Sequence, residues 1–169
     1  MAVSRTPGRI VCIAVLIAGI VLICLALLLI PLHTTPEYTV ANYGELANIV
    51  NGRCILPEKE ALPDTGCSFI VYVKSRFSNA VVGYLLGFTP SNGCARSVTV
   101  SCKALGELPE DQRSITPSEA CGEVGLAVKR DHLFFILESC RYDIHGVDAT
   151  DGFADTARSL AQRIIGAGK

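Results

Sequence analysis

The hydrophobic pattern of the chain begins with an uninterrupted apolar run near the N-terminus. Residues 10–32 contain no charged side chain. As a helix with a rise of about 1.5 Å per residue, this run would measure roughly 34 Å, and a bilayer hydrocarbon core is about 30 Å thick. The pattern therefore predicts a transmembrane anchor at residues 10–32, which follows a short tail at residues 1–9.

The charges that flank the run predict its orientation. Arg5 and Arg9 precede it, whereas the first Lys or Arg after it is Arg53. Because cytoplasmic flanks carry the excess of Lys and Arg, we expect a single-pass protein with a cytoplasmic N-terminus and an extracytoplasmic C-terminal domain. A removed signal peptide is the alternative, but its apolar region is usually only about 7–15 residues long.

Small residues within the run predict a surface for helix packing. Ala14, Ala18 and Gly19 recur at a spacing that lets a second membrane helix approach closely. The apolar run therefore favours contact with the lipid bilayer, and its small residues favour contact with other membrane proteins.

The pattern after the run changes to short alternating and periodic segments. Residues 33–40 are predicted as a linker, and residues 41–169 as one extracytoplasmic domain. Tyr43, Leu46 and Val50 recur at helical spacing, which predicts a short amphipathic helix.

Five segments read as strands because of their β-branched and aromatic residues or their strict alternation. The segments at residues 126–128 and 133–138, which flank residues 129–132, are predicted to form a hairpin. The predicted strands cover residues 68–74, 80–88, 96–103, 126–128 and 133–138.

Two helix starts are predicted in the C-terminal part of the domain. Residues 116–119 read as an N-cap followed by Pro and Glu, which predicts a short turn of helix. Asp151 is predicted to cap a longer amphipathic helix that begins near Phe153. Strands followed by a packing helix predict an α+β fold, with a mainly antiparallel sheet, a C-terminal helix packed on it, and disulfides as staples.

Composition excludes two classes of protein. Half of the residues are hydrophobic, only 18% are charged, and the formal net charge is −1. A nucleic-acid-binding domain would show a basic stripe, and a disordered chain would be poorer in apolar residues. We therefore expect no nucleic-acid partner.

The cysteines predict disulfides. Of the eight cysteines, Cys12 and Cys24 fall in the apolar run, and the rest lie in the segment that we expect outside the cytoplasm, where disulfides persist. Three bridges are predicted, with a pairing that the spacing cannot decide. The residues concerned are Cys54, Cys67, Cys94, Cys102, Cys121 and Cys140.

A metal site is not expected from the motifs. The sequence contains no Cys-x-x-Cys pair, which removes the common zinc ribbon, zinc finger and thioredoxin-type patterns. A mixed site formed by Cys140 with His132 and His145 is the remaining alternative. No cofactor is expected.

The sequence predicts no catalytic residue. It lacks both Gly-x-Ser-x-Gly and Ser-x-x-Lys. Cys140 and His145 are the one short-range pair that resembles a nucleophile and its base. We therefore expect a protein that is not an enzyme, with an envelope hydrolase as the least favoured alternative.

Taken together, these patterns predict a membrane-anchored extracytoplasmic interaction module. Its expected role is that of an accessory or structural subunit in a membrane protein assembly. The alternative is an extracytoplasmic ligand-binding or sensor-like domain, which the closing hairpin and helix resemble at the level of the fold. A pocket lined by Tyr72, Tyr84 or Tyr142 would favour that alternative.

Overall fold

The computed structural model describes residues 15–22, 37–63, 66–75 and 78–168, and the chain divides into two compact units, residues 1–34 and 35–169. In the first unit, residues 15–22 are helical.

The predicted anchor lies partly outside the described residues. Within the described residues, no helix has the length and apolar character that crossing a membrane requires. Ala18 and Gly19 lie in the helix at residues 15–22, whereas Ala14 falls outside the described residues. The helix-packing ridge stays a prediction.

The second unit, as far as it is described, is an eight-stranded antiparallel sheet with two helices. The strand order is β1-β2-β3-β4-β8-β7-β6-β5, and every neighbouring pair is antiparallel. This arrangement confirms the predicted α+β fold with its mainly antiparallel sheet and C-terminal helix. The strands are β1 Glu37–Val40, β2 Ser68–Ser75, β3 Ser78–Phe88, β4 Ser97–Ala104, β5 Glu119–Cys121, β6 Val124–Val128, β7 His132–Leu137 and β8 Cys140–Val147.

The helices pack against one face of the sheet, which we call the inner face. Helix α1 spans Tyr43–Val50 and contacts β2 and β3, and helix α2 spans Phe153–Ala167 and contacts β7 and β8. Short 3₁₀ turns lie in the connections, at Lys59–Ala61, Leu105–Glu107 and Glu110–Gln112.

The two central strands show why this face is buried. In β4, buried Val98, Val100 and Cys102 alternate with half-buried polar residues, and in β8 buried Tyr142 and Ile144 alternate in the same way. Since successive side chains of a strand point to opposite faces, the apolar set of each strand meets the helices. The remaining set forms the outer face.

Helix α1 begins at a reciprocal cap. The Asn42 side chain accepts a hydrogen bond from the Glu45 amide at 3.0 Å, and the Glu45 carboxylate accepts one from the Ala41 amide at 3.1 Å. These bonds satisfy amide groups that a helix start leaves unpaired. Leu46 and Val50 are the buried residues of this helix.

Helix α2 buries one face as predicted, but its start differs. Gly152 precedes the helix with αR backbone angles, and no side chain caps it. The cap position is thus held by a glycine, which has no side chain to offer, so the prediction that Asp151 caps the helix is wrong. The buried residues are Phe153, Ala157, Leu160, Ala161, Ile164 and Ile165.

Two further segments differ from the predictions. Residues 37–40 were expected within a linker, but they form β1 and pair with β2. The helical turn expected at residues 116–119 is absent, and Glu119 begins β5. The Ser118 hydroxyl accepts a hydrogen bond from the Val128 amide at 3.0 Å, so this segment is bonded to strand β6 and does not start a helix.

Gly83 lies where strands β3 and β4 approach closely, so a substitution at this position tests their packing. A Cβ atom at this position would collide with the backbone carbonyl group of Cys102. Gly83→Ala should therefore lower the free energy of unfolding by about 1–3 kcal/mol, measured by urea denaturation of the reduced chain. Gly106→Ala is the control, because a Cβ there meets nothing within 4 Å. Equal midpoints for the two variants would contradict this packing.

Candidate functional site

Three cysteine side chains converge on the inner face of the sheet. The Sγ atoms of Cys54, Cys102 and Cys140 all lie within 4.8 Å of one another. Cys102 is fully buried, Cys140 is buried, and Cys54 is half-buried. We call these three residues the thiol cluster.

The pairing of β4 with β8 positions two of the three thiols. Cys102 lies opposite Tyr142, and Ala104 lies opposite Cys140. Cys102 and Cys140 are therefore diagonal neighbours on the same face of adjacent antiparallel strands, close enough for their side chains to meet.

The third thiol comes from the turn that follows helix α1. The Cys54 amide donates a hydrogen bond to the Val50 carbonyl at 3.3 Å, which continues the last turn of the helix. The Cys140 sulfur lies 3.5 Å from the Arg53 carbonyl oxygen, a contact that the S–H group donates while Cys140 is protonated. The turn thus places Cys54 over the sheet thiols.

Two buried tyrosines hold this turn through a single residue. The Ile55 amide donates to the Tyr142 hydroxyl at 2.8 Å, and the Tyr84 hydroxyl donates to the Ile55 carbonyl at 2.9 Å. Tyr142 also stacks on Phe135, with ring centroids 5.1 Å apart. We call the two tyrosines and the backbone that they bind the Ile55 clamp. Because both rings are fixed in the core, the clamp fixes the residue next to Cys54.

The three thiols differ in acidity. Hydrogen bonds from Cys102 and Cys54 lower the pKa of the Cys140 thiol to about 3. For Cys54, a hydrogen bond with Cys102 lowers the pKa, but a hydrogen bond with Cys140 and burial outweigh it and raise the pKa to about 12. Burial raises the pKa of Cys102 well above its ordinary value of 9.0, and hydrogen bonds with the other two thiols raise it further.

Cys140 is therefore the thiol whose ionisation the cluster favours, because the two neighbouring thiols can donate hydrogen bonds to its sulfur. An anion in a largely apolar setting is unfavourable unless a positive charge or hydrogen bonds compensate for the lost solvation. Thiolates are the form of cysteine that binds metal ions and acts as a nucleophile. The arrangement is thus chemically suited to bind a cation.

The three predicted disulfides are not confirmed. All six cysteines are free in the structure, and only three of them come together. Cys67 donates a hydrogen bond to the Pro63 carbonyl at 3.3 Å, Cys94 is buried in the loop before β4, and Cys121 lies in strand β5. A cluster of three thiols has room for one internal bridge at most. The predicted residues were Cys54, Cys67, Cys94, Cys102, Cys121 and Cys140.

The structure separates Cys140 from the histidines. Cys140 points to the inner face, whereas His145, an odd number of residues along the same strand, points to the outer face. His145 lies opposite His132, with ring centroids 4.5 Å apart, and its Nε2 atom is 3.8 Å from an Asp131 carboxylate oxygen. The alternatives of a mixed Cys/His zinc site and of a Cys140–His145 dyad are therefore wrong.

The three tyrosines that would have indicated a ligand pocket do not share one. Tyr84 and Tyr142 are fully buried in the core and belong to the Ile55 clamp. Tyr72 lies opposite Gly83 on the outer face, where the Lys103 ammonium group sits 4.5 Å from its ring centroid. Their role is structural in this arrangement.

The thiol cluster was not predicted, although part of its signal is present in the sequence. Cys102 and Cys140 each occupy the apolar set of an alternating strand, and Tyr142 extends that set in β8. What links them is the register between two strands that lie far apart in the chain. Motif spacing cannot show such a register.

Comparison with known proteins gave no match: no protein-family model, no curated protein and no solved structure is significantly similar to the chain. The function is therefore argued from the thiol cluster and the sequence.

The buried tyrosines of the Ile55 clamp lead us to expect that the free energy of unfolding falls at high pH. Burial raises the pKa of Tyr84 and of Tyr142 above the ordinary value of 10.0. Their contribution to stability is therefore complete below pH 10, where both states are neutral, and it is lost as pH rises and only the unfolded phenols ionise. Each group should reduce the free energy of unfolding by about 1.4 kcal/mol per pH unit in that range.

The check is urea denaturation of the reduced chain between pH 8 and pH 11. Tyr84→Phe should flatten the dependence on pH above pH 10, because it removes one of the groups that ionise. Tyr38→Phe is the control, since Tyr38 is exposed. A Tyr84→Phe profile parallel to that of the unsubstituted chain would contradict the burial of this phenol.

Proposed function

We propose that the chain is a membrane-tethered extracytoplasmic domain that binds a thiophilic metal ion through the thiol cluster. The observation that carries the proposal is the convergence of Cys54, Cys102 and Cys140, whose sulfur atoms lie within 4.8 Å of one another. Soft thiolate ligands favour ions such as Cu⁺ and Zn²⁺. The proposal departs from the expectation that no metal site is present.

The dimensions of the cluster support the proposal. At a metal–sulfur distance of about 2.3 Å, the sulfurs around one ion stand roughly 4 Å apart. The separations in the cluster, at most 4.8 Å, are close to that value. Only a small inward rotation of the side chains is required.

The framework of the cluster supports it as well. Cys102 and Cys140 lie on paired strands, and the Ile55 clamp holds the turn that carries Cys54. Ligands on rigid elements bind a metal ion without a large loss of conformational entropy. Because a metal ion binds thiolates, binding releases protons from the thiols of the cluster, so affinity should rise with pH.

The reduced chain should bind one Cd²⁺ ion, which serves as a spectroscopic probe for thiolate sites. The expected result is an ultraviolet charge-transfer band that saturates at one ion per chain. Cys140→Ser should abolish the band, because it removes the most acidic ligand. Cys67→Ser is the matched control and should leave the band unchanged, because Cys67 lies outside the cluster.

Two outcomes would overturn the metal proposal. One is a band that persists in Cys140→Ser but disappears in Cys67→Ser. The other is the recovery of the native chain with a disulfide between two cluster cysteines that resists mild reduction, because a bridged cluster lacks the thiolates that an ion requires.

The membrane tether is proposed from the sequence. The support is the uncharged run at residues 10–32 and the two arginines that precede it, Arg5 and Arg9. These features favour an uncleaved single-pass anchor with the domain outside the cytoplasm.

A membrane-impermeant amine reagent tests this orientation on intact cells. The first lysine of the chain is Lys59, so every lysine belongs to the part expected outside. We expect labelled Lys59 and Lys74, together with an unlabelled Met1 amine in a chain of full length. Labelling of the lysines only after cell lysis would contradict the proposed orientation, and a chain that lacks residues 1–32 would contradict the tether.

As to its role, we propose that the domain serves as an accessory subunit of a membrane assembly and is not itself an enzyme. The anchor favours contact with the bilayer and with other membrane proteins. The outer face of the sheet supports such contacts, because it carries half-exposed polar and aromatic side chains such as His132, Phe134 and His145. Metal binding inside the domain then leaves this face free for a partner.

A further inference from the structure

We infer that the ion held by the thiol cluster is monovalent copper, bound by sulfur alone. The inference rests on the proposed metal site and narrows it to one class of ion. Two observations carry it: the donor set and the route by which an ion reaches the sulfurs.

The donor set consists of sulfur. Among the described residues, no histidine nitrogen or carboxylate oxygen joins the three sulfurs within 4.8 Å. The hydroxyls of Tyr84 and Tyr142 are bound to the backbone of Ile55. Zinc in structural sites is almost always four-coordinate, whereas Cu⁺ is a soft ion that is satisfied by two or three sulfurs. Within the part of the chain that the structure describes, the cluster thus offers three ligands and no fourth.

Access to the cluster is one-sided. An open cavity of about 540 Å³ is lined by Cys54, together with Tyr43, Asn51, Arg53 and Glu138, and its lining does not include the two other cluster thiols. An incoming ion therefore meets Cys54 first and passes inward to the buried sulfurs. Transfer from one thiol to the next suits Cu⁺, because the ion never has to be stripped of all its ligands at once.

The experiment is a competition titration of the reduced full-length chain in detergent. Cu⁺ is supplied from a cuprous chelator and Zn²⁺ from a zinc indicator. We expect one ion of Cu⁺ per chain, bound more tightly than Zn²⁺ because the ligands are soft sulfur atoms. X-ray absorption of the copper-loaded chain should show two or three sulfur neighbours and no nitrogen or oxygen.

Cys54→Ser is the main variant, because Cys54 lies in a turn outside the sheet and its replacement leaves β4 and β8 intact. It should weaken Cu⁺ binding by about 100-fold or more, a change of roughly 2.7 kcal/mol or more. Cys121→Ser, at a thiol outside the cluster, should leave the affinity unchanged. Circular dichroism of each variant checks that the sheet is retained.

The possible results separate this inference from the proposed function. Zn²⁺ bound as tightly as Cu⁺, or copper with oxygen or nitrogen neighbours, would overturn the cuprous assignment and leave the thiophilic metal site standing. Binding of neither ion, or Cu⁺ affinity that is the same in Cys54→Ser, would overturn both.

Discussion

The pairing of strand β4 with strand β8 is the interaction on which the rest of this structure depends. It joins a first meander, β1 to β4, to a second, β5 to β8, over the full register from Ser97 with Val147 to Ala104 with Cys140. Helix α1 packs on the first meander and helix α2 on the second. Without this pairing, neither half would complete a common core, and Cys102 and Cys140 would not be neighbours.

The strict alternation of these two strands also places different functional groups on opposite faces of the sheet. The thiols of Cys102 and Cys140 and the phenols of Tyr84 and Tyr142 lie on the inner face, whereas His132 and His145 lie on the outer face. Since a strand places neighbours on opposite faces, Cys140 and His145 are separated although they are close in sequence. The thiols are thus left with one another as partners, apart from backbone carbonyls and a tyrosine hydroxyl.

This isolation explains the electrostatics of the cluster. In a largely apolar setting, ionisation of one thiol stabilises the protonated form of the other two, because each donates a hydrogen bond that a second thiolate would lose. A bound cation compensates the negative charge, so that more than one thiol of the cluster can be ionised. The Ile55 clamp fixes the position of the third thiol, since it holds Cys54 at the open edge of the cluster while Tyr84 and Tyr142 close the buried side.

The sequence by itself determined the local elements, because periodicity and capping act over a few residues. Predictable elements were the helix at Tyr43–Val50, three long strands and the amphipathic C-terminal helix. It did not determine β8, whose alternation was present but unassigned, or β1, whose few polar residues read as a linker. Only the tertiary structure decided that Cys54, Cys102 and Cys140 meet. That outcome depends on the register of two distant strands and on a turn held by buried hydroxyls, and neither has a local pattern.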